Sequence, residues 1–270
     1  MKGRVLIVGG SDSGGGAGIQ GDIKTVTALG GYAAAAITAL TAQNTVGVFG
    51  ILPVEASFVG KQIEVVLADI GADCIKTGML RGADVIDALV DELAARAPEV
   101  PIVVDPVMIS SSGARLLDRD AVDTLKRRLL VRTTVVTPNV PEAEVLTGMT
   151  IRDIDDMRRA AEMLVTLGVR TVVLKGGHIG GRTVSDLVAD ENGSYVLSSS
   201  RIDTRHTHGT GCTLASAMAT GLAQGMEMRP AIERARRYLI AALASAPGYG
   251  QGHGPLNHAH TCASEEGGAN

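Results

Sequence analysis

The sequence predicts a three-layer α/β/α sandwich around a mostly parallel central sheet. Short apolar runs alternate with single helices, the pattern of strands covered on both faces. Glycine and polar signals recur where the runs end, at Gly10, Gln43, Met79, Asp105, Asn139 and Lys175. No linker or internal repeat divides 1–260, which reads as one domain, and 261–270 reads as a disordered tail.

The elements follow in order. Residues 5–8 form an apolar run that ends in Gly9-Gly10 and a glycine-rich loop, with a helix at 19–29. A second apolar run, 32–40, ends in Thr41-Ala42-Gln43-Asn44. A helix follows at 53–68, with Val59, Ile63, Val66 and Leu67 on one side. Strand 74–77 closes in Gly78-Met79, 83–97 is helical, and strand 102–104 runs into Asp105-Pro106. Next come a helix at 120–130, a strand at 134–137, helices at 141–146 and 155–167, and a strand at 171–174. Segments 184–189 and 194–197 make a hairpin around Asn192-Gly193. Helices at 212–224 and 229–246 complete the pattern.

Composition narrows the function. With no Trp, two Phe and four Tyr, the core must be built from Val, Ile, Leu and Ala. The net charge of -4 and the lack of a basic face argue against a nucleic-acid partner. Cys74, Cys212 and Cys262 are too few and too far apart for a disulfide framework, and no C-x-x-C pair suggests zinc. The chain opens on a strand rather than a signal peptide, and no apolar run is long enough for a bilayer. The expectation is a soluble, cytoplasmic protein without a membrane partner.

The chemistry concentrates in Gly209-Thr210-Gly211-Cys212, at the start of an alanine-rich helix. The first N–H groups of a helix lack internal partners and favour an anion. A tight packed turn is the plainer reading. A helix N-terminus lowers a thiol's pKa, so Cys212 is a nucleophile, a general base or a small buried filler. The first glycine-rich loop is neither a Walker A motif nor a dinucleotide fingerprint. Asp22 either points back to a ligand or lies on a solvated helix face. Asn139 and Glu142 suit a capping box or the positioning of Mg²⁺ and phosphate. Asp105, at a strand end, is a candidate metal residue. Lys175 either snorkels outward or meets a phosphate. The histidines show no metal spacing, and His178, His206 and His208 read as satisfied loop residues.

Eight stretches together carry a resemblance. They are GGSDSGGGAGIQGDIKT (9–25), AITALTAQNT (36–45), IKTGML (75–80), VVDPVM (103–108), TPNVPEAEVLTG (137–148), LKGGH (174–178), DTRHTHGTGCTLASA (203–217) and GHGPLNH (252–258). In this order the chain resembles the ribokinase superfamily and, within it, the hydroxymethylpyrimidine/phosphomethylpyrimidine kinases of thiamine biosynthesis.

That resemblance implies a ribokinase-like kinase that uses MgATP. Its substrate would be 4-amino-5-hydroxymethyl-2-methylpyrimidine, phosphorylated first to the monophosphate and then to the diphosphate. Gln43 would pair with the aminopyrimidine edge, with Asp22 and the Gly10 backbone lining the pocket and Met79 and Val107 against the ring. Gly209 and Gly211 would form the anion hole, with Cys212 as base where many relatives carry Asp. Asn139, Lys175 and Thr210 would meet ATP, and Asp105 and Glu142 the metal. A homodimer is implied, and a K⁺ requirement is left open. The loop departs from the usual pattern at Ser13-Gly14-Gly15-Gly16 and at Gly21 before Asp22, which adds backbone freedom. Pyridoxal kinase and a non-catalytic pyrimidine-binding protein are the competing readings.

Overall fold

A computed structural model describes residues 1–110 and 113–262; of the predicted tail over 261–270, residues 263–270 lie outside them, while Thr261 ends a 3-10 turn. Strand β1 (Arg4–Asp12) leads through the glycine loop into α1 (Gly18–Ala28) and β2 (Tyr32–Gln43). β3 (Val48–Pro53), α2 (Ala56–Asp69), β4 (Cys74–Thr77), α3 (Ala83–Arg96) and β5 (Ile102–Val104) follow. Next is α4 (Ala121–Thr124), which widens into a π turn over Leu125–Leu129 and tightens to a 3-10 turn over Leu130–Arg132. β6 (Val135–Val136), α5 (Val140–Thr147), α6 (Ile154–Thr166) and β7 (Thr171–Leu174) lead to the hairpin β8 (Thr183–Asp190) and β9 (Gly193–Ser200). α7 (Thr210–Ala223) and α8 (Met228–Ala244) come last, before a 3-10 turn over His258–Thr261.

Among the described residues the strands form one sheet in the order β3-β2-β1-β4-β5-β6-β7-β8-β9. From β2 to β7 neighbouring strands are parallel; β3 closes one side antiparallel, and β8 and β9 the other. On one face Val59, Ile86, Leu125, Ala143 and Ala160 pack from α2 through α6. On the other, Ile19, Leu214 and Ile232 pack from α1, α7 and α8. This is the three-layer sandwich that the alternation predicts. No helix of the described residues is long and apolar enough to cross a membrane.

One element departs from expectation. The predicted helix at 53–68 begins only at Ala56, and Val48–Pro53 is strand β3. Asn44 Oδ1 accepts the N–H of Val46 at 2.9 Å and of Gly47 at 3.3 Å, which reverses the chain. β3 then pairs with β2, Ala42 against Gly50. Phe49 and Leu52 of this edge strand are exposed, at 71% and 63%. With no buried face, the strand shows no alternation to read.

The C-terminal turn is tied to the α1/α8 layer by a buried histidine. His258 Nδ1 lies 3.1 Å from the Tyr238 hydroxyl and 3.4 Å from Thr25 Oγ1, while Nε2 has no protein partner. Burial, then Lys24 and His260, push this imidazole down to about 4. The unfolded chain therefore binds this proton more readily than the folded one. Its stabilising effect is complete above the ordinary value of 6.5 and is lost as pH falls toward 4. Urea unfolding is expected to show a loss of about 2 kcal/mol from this group between pH 7 and pH 5. His258→Gln should flatten that slope; an unchanged slope would exclude His258 as its source.

Candidate active site

Strand periodicity builds the site. Cys74, Val103, Val135 and Val173 face the α1/α7/α8 layer in one apolar cluster. Two residues on, the same face presents Lys76, Asp105, Thr137 and Lys175. Apolar strands thus end in a polar row at their carboxyl ends, where open α/β sheets bind ligands. Asp105 Oδ1 accepts from Lys175 Nζ at 3.0 Å and from Thr137 Oγ1 at 3.2 Å. Glu142 Oε2 lies 4.0 Å from Lys175 Nζ.

Asn139 and Glu142 form a complete capping box. The Glu142 N–H donates to Asn139 Oδ1 at 2.9 Å, and the Asn139 N–H donates to Glu142 Oε2 at 2.8 Å. The cap also holds Glu142 beside Lys175. Burial pushes the Glu142 carboxyl up to about 7; Asp105 adds to this, while Lys175 and the N–H groups of Asn139 and Met108 oppose it. Burial opposes the charge on Lys175, yet Asp105 and Glu142 raise its pKa.

The first turn of α7 abuts this cluster. Gly209 caps the helix in the left-handed region, φ 87°, and a Cβ there would collide with the Gly16 carbonyl oxygen. A Cβ at Gly211 would stand 3.2 Å from Lys175 Nζ and 3.4 Å from Asp105 Oδ2. The Thr210 N–H donates to Thr207 O at 3.3 Å, and the helical ladder begins with the Thr213 N–H on Gly209 O. The N–H groups of Gly211 and Cys212 precede that ladder beside a lysine, which is an anion-binding arrangement.

Cys212 differs from expectation. Burial pushes its thiol up to about 12, with Asp22 and Asp105 adding to the rise; Lys76 and the Gly18 N–H pull it down by less. The predicted lowering at a helix N-terminus is therefore outweighed, and the thiol keeps its proton at neutral pH.

Asp22 is also corrected. It is 1% exposed, on the buried face of α1 with Ile19 and Val26. Its Oδ2 meets Lys76 Nζ at 2.7 Å and its Oδ1 accepts from Ser216 Oγ at 2.6 Å. It is enclosed beneath the first turn of α7 and does not lie on a solvated helix face. Burial raises its carboxyl above the usual range although Lys76 and Ser216 oppose this.

Gly10, Met79 and Val107 do come together. Met79 and Val107 pack with Ala39, Leu116 and Ile51, and a Cβ on Gly10 would lie 2.9 Å from Met79 Sδ. Gln43 stands at the loop's other side. Its Oε1 accepts from Thr41 Oγ1 at 3.1 Å, and its amide nitrogen lies 3.3 Å from His208 Nε2. A cavity of about 260 Å³ opens on the α6 side of Gly176, lined by Ile154, Met157 and Ser185 among others; none of the predicted residues lines it.

Two residues outside the predicted set organise the loop. Asp12 accepts from the N–H groups of Gly14, Gly16 and Ala17 at 2.8, 3.1 and 2.9 Å, and from His208 Nε2 at 2.8 Å. Burial works against this carboxylate, but His208 and the backbone donors prevail and hold it below the usual range. The available signal was an aspartate two residues before a glycine, an Asx-turn pattern. His208 is a satisfied loop histidine, as its sequence suggests.

Similarity to known proteins shows a kinase, a phosphotransferase acting on small molecules. The matching family model is that of phosphomethylpyrimidine kinase, over residues 12–257. The chain belongs to that family. It is 46% identical to the hydroxymethylpyrimidine/phosphomethylpyrimidine kinase of Bacillus subtilis, over 94% of each chain. It is 52% identical to a thiamine biosynthesis bifunctional protein of Geobacter sulfurreducens, over 95% of this chain; it spans about half of that relative, 52%. Among solved structures, pyridoxal kinase from Staphylococcus aureus in complex with ADP matches with a TM-score of 0.90 and 32% identity, over 98% of this chain and 96% of that one. Phosphomethylpyrimidine kinase from Clostridium difficile matches with a TM-score of 0.79 and 40% identity, over 88% and 98%.

Proposed function

We propose that this chain transfers the γ-phosphoryl group of ATP to the hydroxymethyl of 4-amino-5-hydroxymethyl-2-methylpyrimidine. It then phosphorylates the monophosphate to the diphosphate. The supporting observation is the Asp105–Lys175 pair set against Gly211 at the start of α7. Here the Gly211 and Cys212 N–H groups and Lys175 gather the phosphate charge. Gly209 and Thr210 shape the turn, and Asn139 fixes Glu142. The Gln43 amide meets the pyrimidine edge, while Gly10, Met79 and Val107 form the apolar wall.

The donor set fits Mg²⁺. Among the described residues no group of three or more His, Cys, Asp or Glu could hold a metal. Two buried carboxylates, Asp105 and Glu142, suit an ion that keeps several waters and shares the substrate's phosphates. Bound there, Mg²⁺ would neutralise phosphate charge. The same proposal covers one kinase unit over 1–260, a homodimer and a cytoplasmic setting.

Phosphoryl transfer draws mainly on placement and charge neutralisation. A Cys212 thiol titrating near 12 is not a preformed base; it is a hydrogen-bonding neighbour of the incoming hydroxyl. Cys212→Ala is therefore expected to lower kcat by roughly tenfold, on the order of one lost hydrogen bond, with little change in the KM for ATP. Steady-state kinetics check this, and near-normal turnover would reject the role.

The decisive experiment is ATP turnover with the pyrimidine, with products identified by mass. Well-folded protein that yields neither monophosphate nor diphosphate would defeat the proposal, and binding without turnover would favour a pyrimidine-binding protein. The likeness to pyridoxal kinase structures supports a second reading, and side-by-side turnover of pyridoxal decides between them. Gln43→Ala should raise the pyrimidine KM about tenfold, on the order of one lost hydrogen bond, and leave the KM for ATP nearly unchanged. Equal loss for both substrates would contradict the pocket assignment.

A further inference from the structure

Lys76 belongs to the IKTGML stretch (75–80), and the roles above do not use it. Its side chain is 0% exposed, a lysine completely enclosed by protein. Fully buried lysines are rare and are retained only with a partner. Asp22 Oδ2 supplies one at 2.7 Å, and Asp22 Oδ1 accepts from Ser216 Oγ at 2.6 Å. Ser216 lies four residues beyond Cys212, one turn below it on the same side of α7. The space beside Nζ toward the end of β4 is kept clear by Gly78, where a Cβ would come within 3.1 Å.

A buried ion pair is weak support for stability, because apolar residues of like volume often do as well. Its place beneath an anion-binding turn points to charge. Resting on the kinase reading above, we propose that Lys76 is a positioning residue for phosphoryl transfer. Its ammonium, fixed by Asp22 and through it to Ser216, holds positive charge beneath the first turn of α7, where the transferred group gathers negative charge. Preorganised charge of this kind acts most strongly in a dry site.

Cys212 reports on that charge. The charged groups that face it are Lys76 from β4, Asp22 from α1, Asp105 after β5 and Lys175 after β7, together with the Gly18 N–H. Lys76 lowers the thiol's pKa more than Asp22 raises it, so removing both charges disfavours the thiolate.

The test is alkylation by iodoacetamide, read at each cysteine by peptide mass. Exposed Cys262 serves as the internal standard. In Lys76→Met/Asp22→Asn, the Cys212 rate relative to Cys262 is expected to fall about tenfold, one pKa unit. In the same variant kcat should fall at least about tenfold, while the nucleotide KM moves little. Asp22→Asn alone keeps the lysine and should speed alkylation. An unchanged Cys212 ratio in a double variant with wild-type Tm overturns the proposal, as does a slowed ratio with unchanged kcat. If the double variant does not fold, Asp22→Asn decides: faster alkylation supports the proposal, and an equal or slower rate overturns it. Failure of wild-type turnover would instead strike the kinase reading, leaving the alkylation ratio to judge the charge.

Discussion

Gly209→Ala is expected to abolish most turnover while the sheet stays folded. Two effects act together. The residue sits at φ 87°, where a side chain strains the backbone by about 1–2 kcal/mol. Its Cβ would also strike the Gly16 carbonyl oxygen, in the loop that Asp12 organises. The loop or the first turn of α7 must move, and a misplacement of about 1 Å costs roughly 10²-fold in rate. We expect kcat/KM to fall at least about 10²-fold and Tm to fall by only a few degrees, about 2–4 °C per kcal/mol at this size. Kinetics beside a thermal scan check both. Wild-type kinetics in the variant would mean that the turn does not hold the reacting phosphate.

Lys175→Met is expected to lower kcat/KM for ATP by roughly 10²- to 10³-fold, the range for losing one charge-stabilising donor. It should also change how stability depends on pH. The Glu142 carboxyl titrates at about 7 against an ordinary 4.5, so the folded protein holds this proton more tightly than the unfolded chain. Its effect on stability is therefore most favourable at low pH and declines as pH rises from 4.5 through 7. Lys175 opposes the shift and Asp105 promotes it, so removing the lysine raises the carboxyl further and extends the decline to higher pH. The Tm difference between wild type and variant should accordingly be larger at pH 8 than at pH 5.5. A constant difference would show that the lysine and Glu142 are not coupled.

Much of the sandwich was legible because it rests on local signals. Strands 74–77, 102–104 and 171–174 match the structure to the residue, since each is a short run closed by glycine or a polar residue, the latter two mainly apolar. β3 was not legible, since its existence depends on pairing with β2 rather than on a buried face of its own. At the site, the residues of the anion-binding turn and of the Asp105–Lys175–Glu142 cluster were marked by their places at element ends. Asp22 and Lys76 were not, because each looks like an ordinary charged residue until the fold encloses both. The Cys212 thiol misled for a related reason: the helix dipole is visible in the sequence, but the burial that outweighs it, with Asp22 of α1 and Asp105 after β5 adding to the rise, exists only in the fold.

The fastening of the glycine loop has a consequence for the order in which the protein is made. Asp12 is secured by His208, 196 positions downstream. The His208 N–H in turn donates to Gly254 O, and the His253 N–H donates to Thr45 O beside Gln43. Closing such long loops is a slow, entropically unfavourable step. The strands β1 to β9, the last of which ends at Ser200, can therefore assemble before the loop between β1 and α1 attains working geometry. The glycine loop is completed only when the segment carrying His208, 196 positions further along, is in place, and catalytic competence waits on that segment.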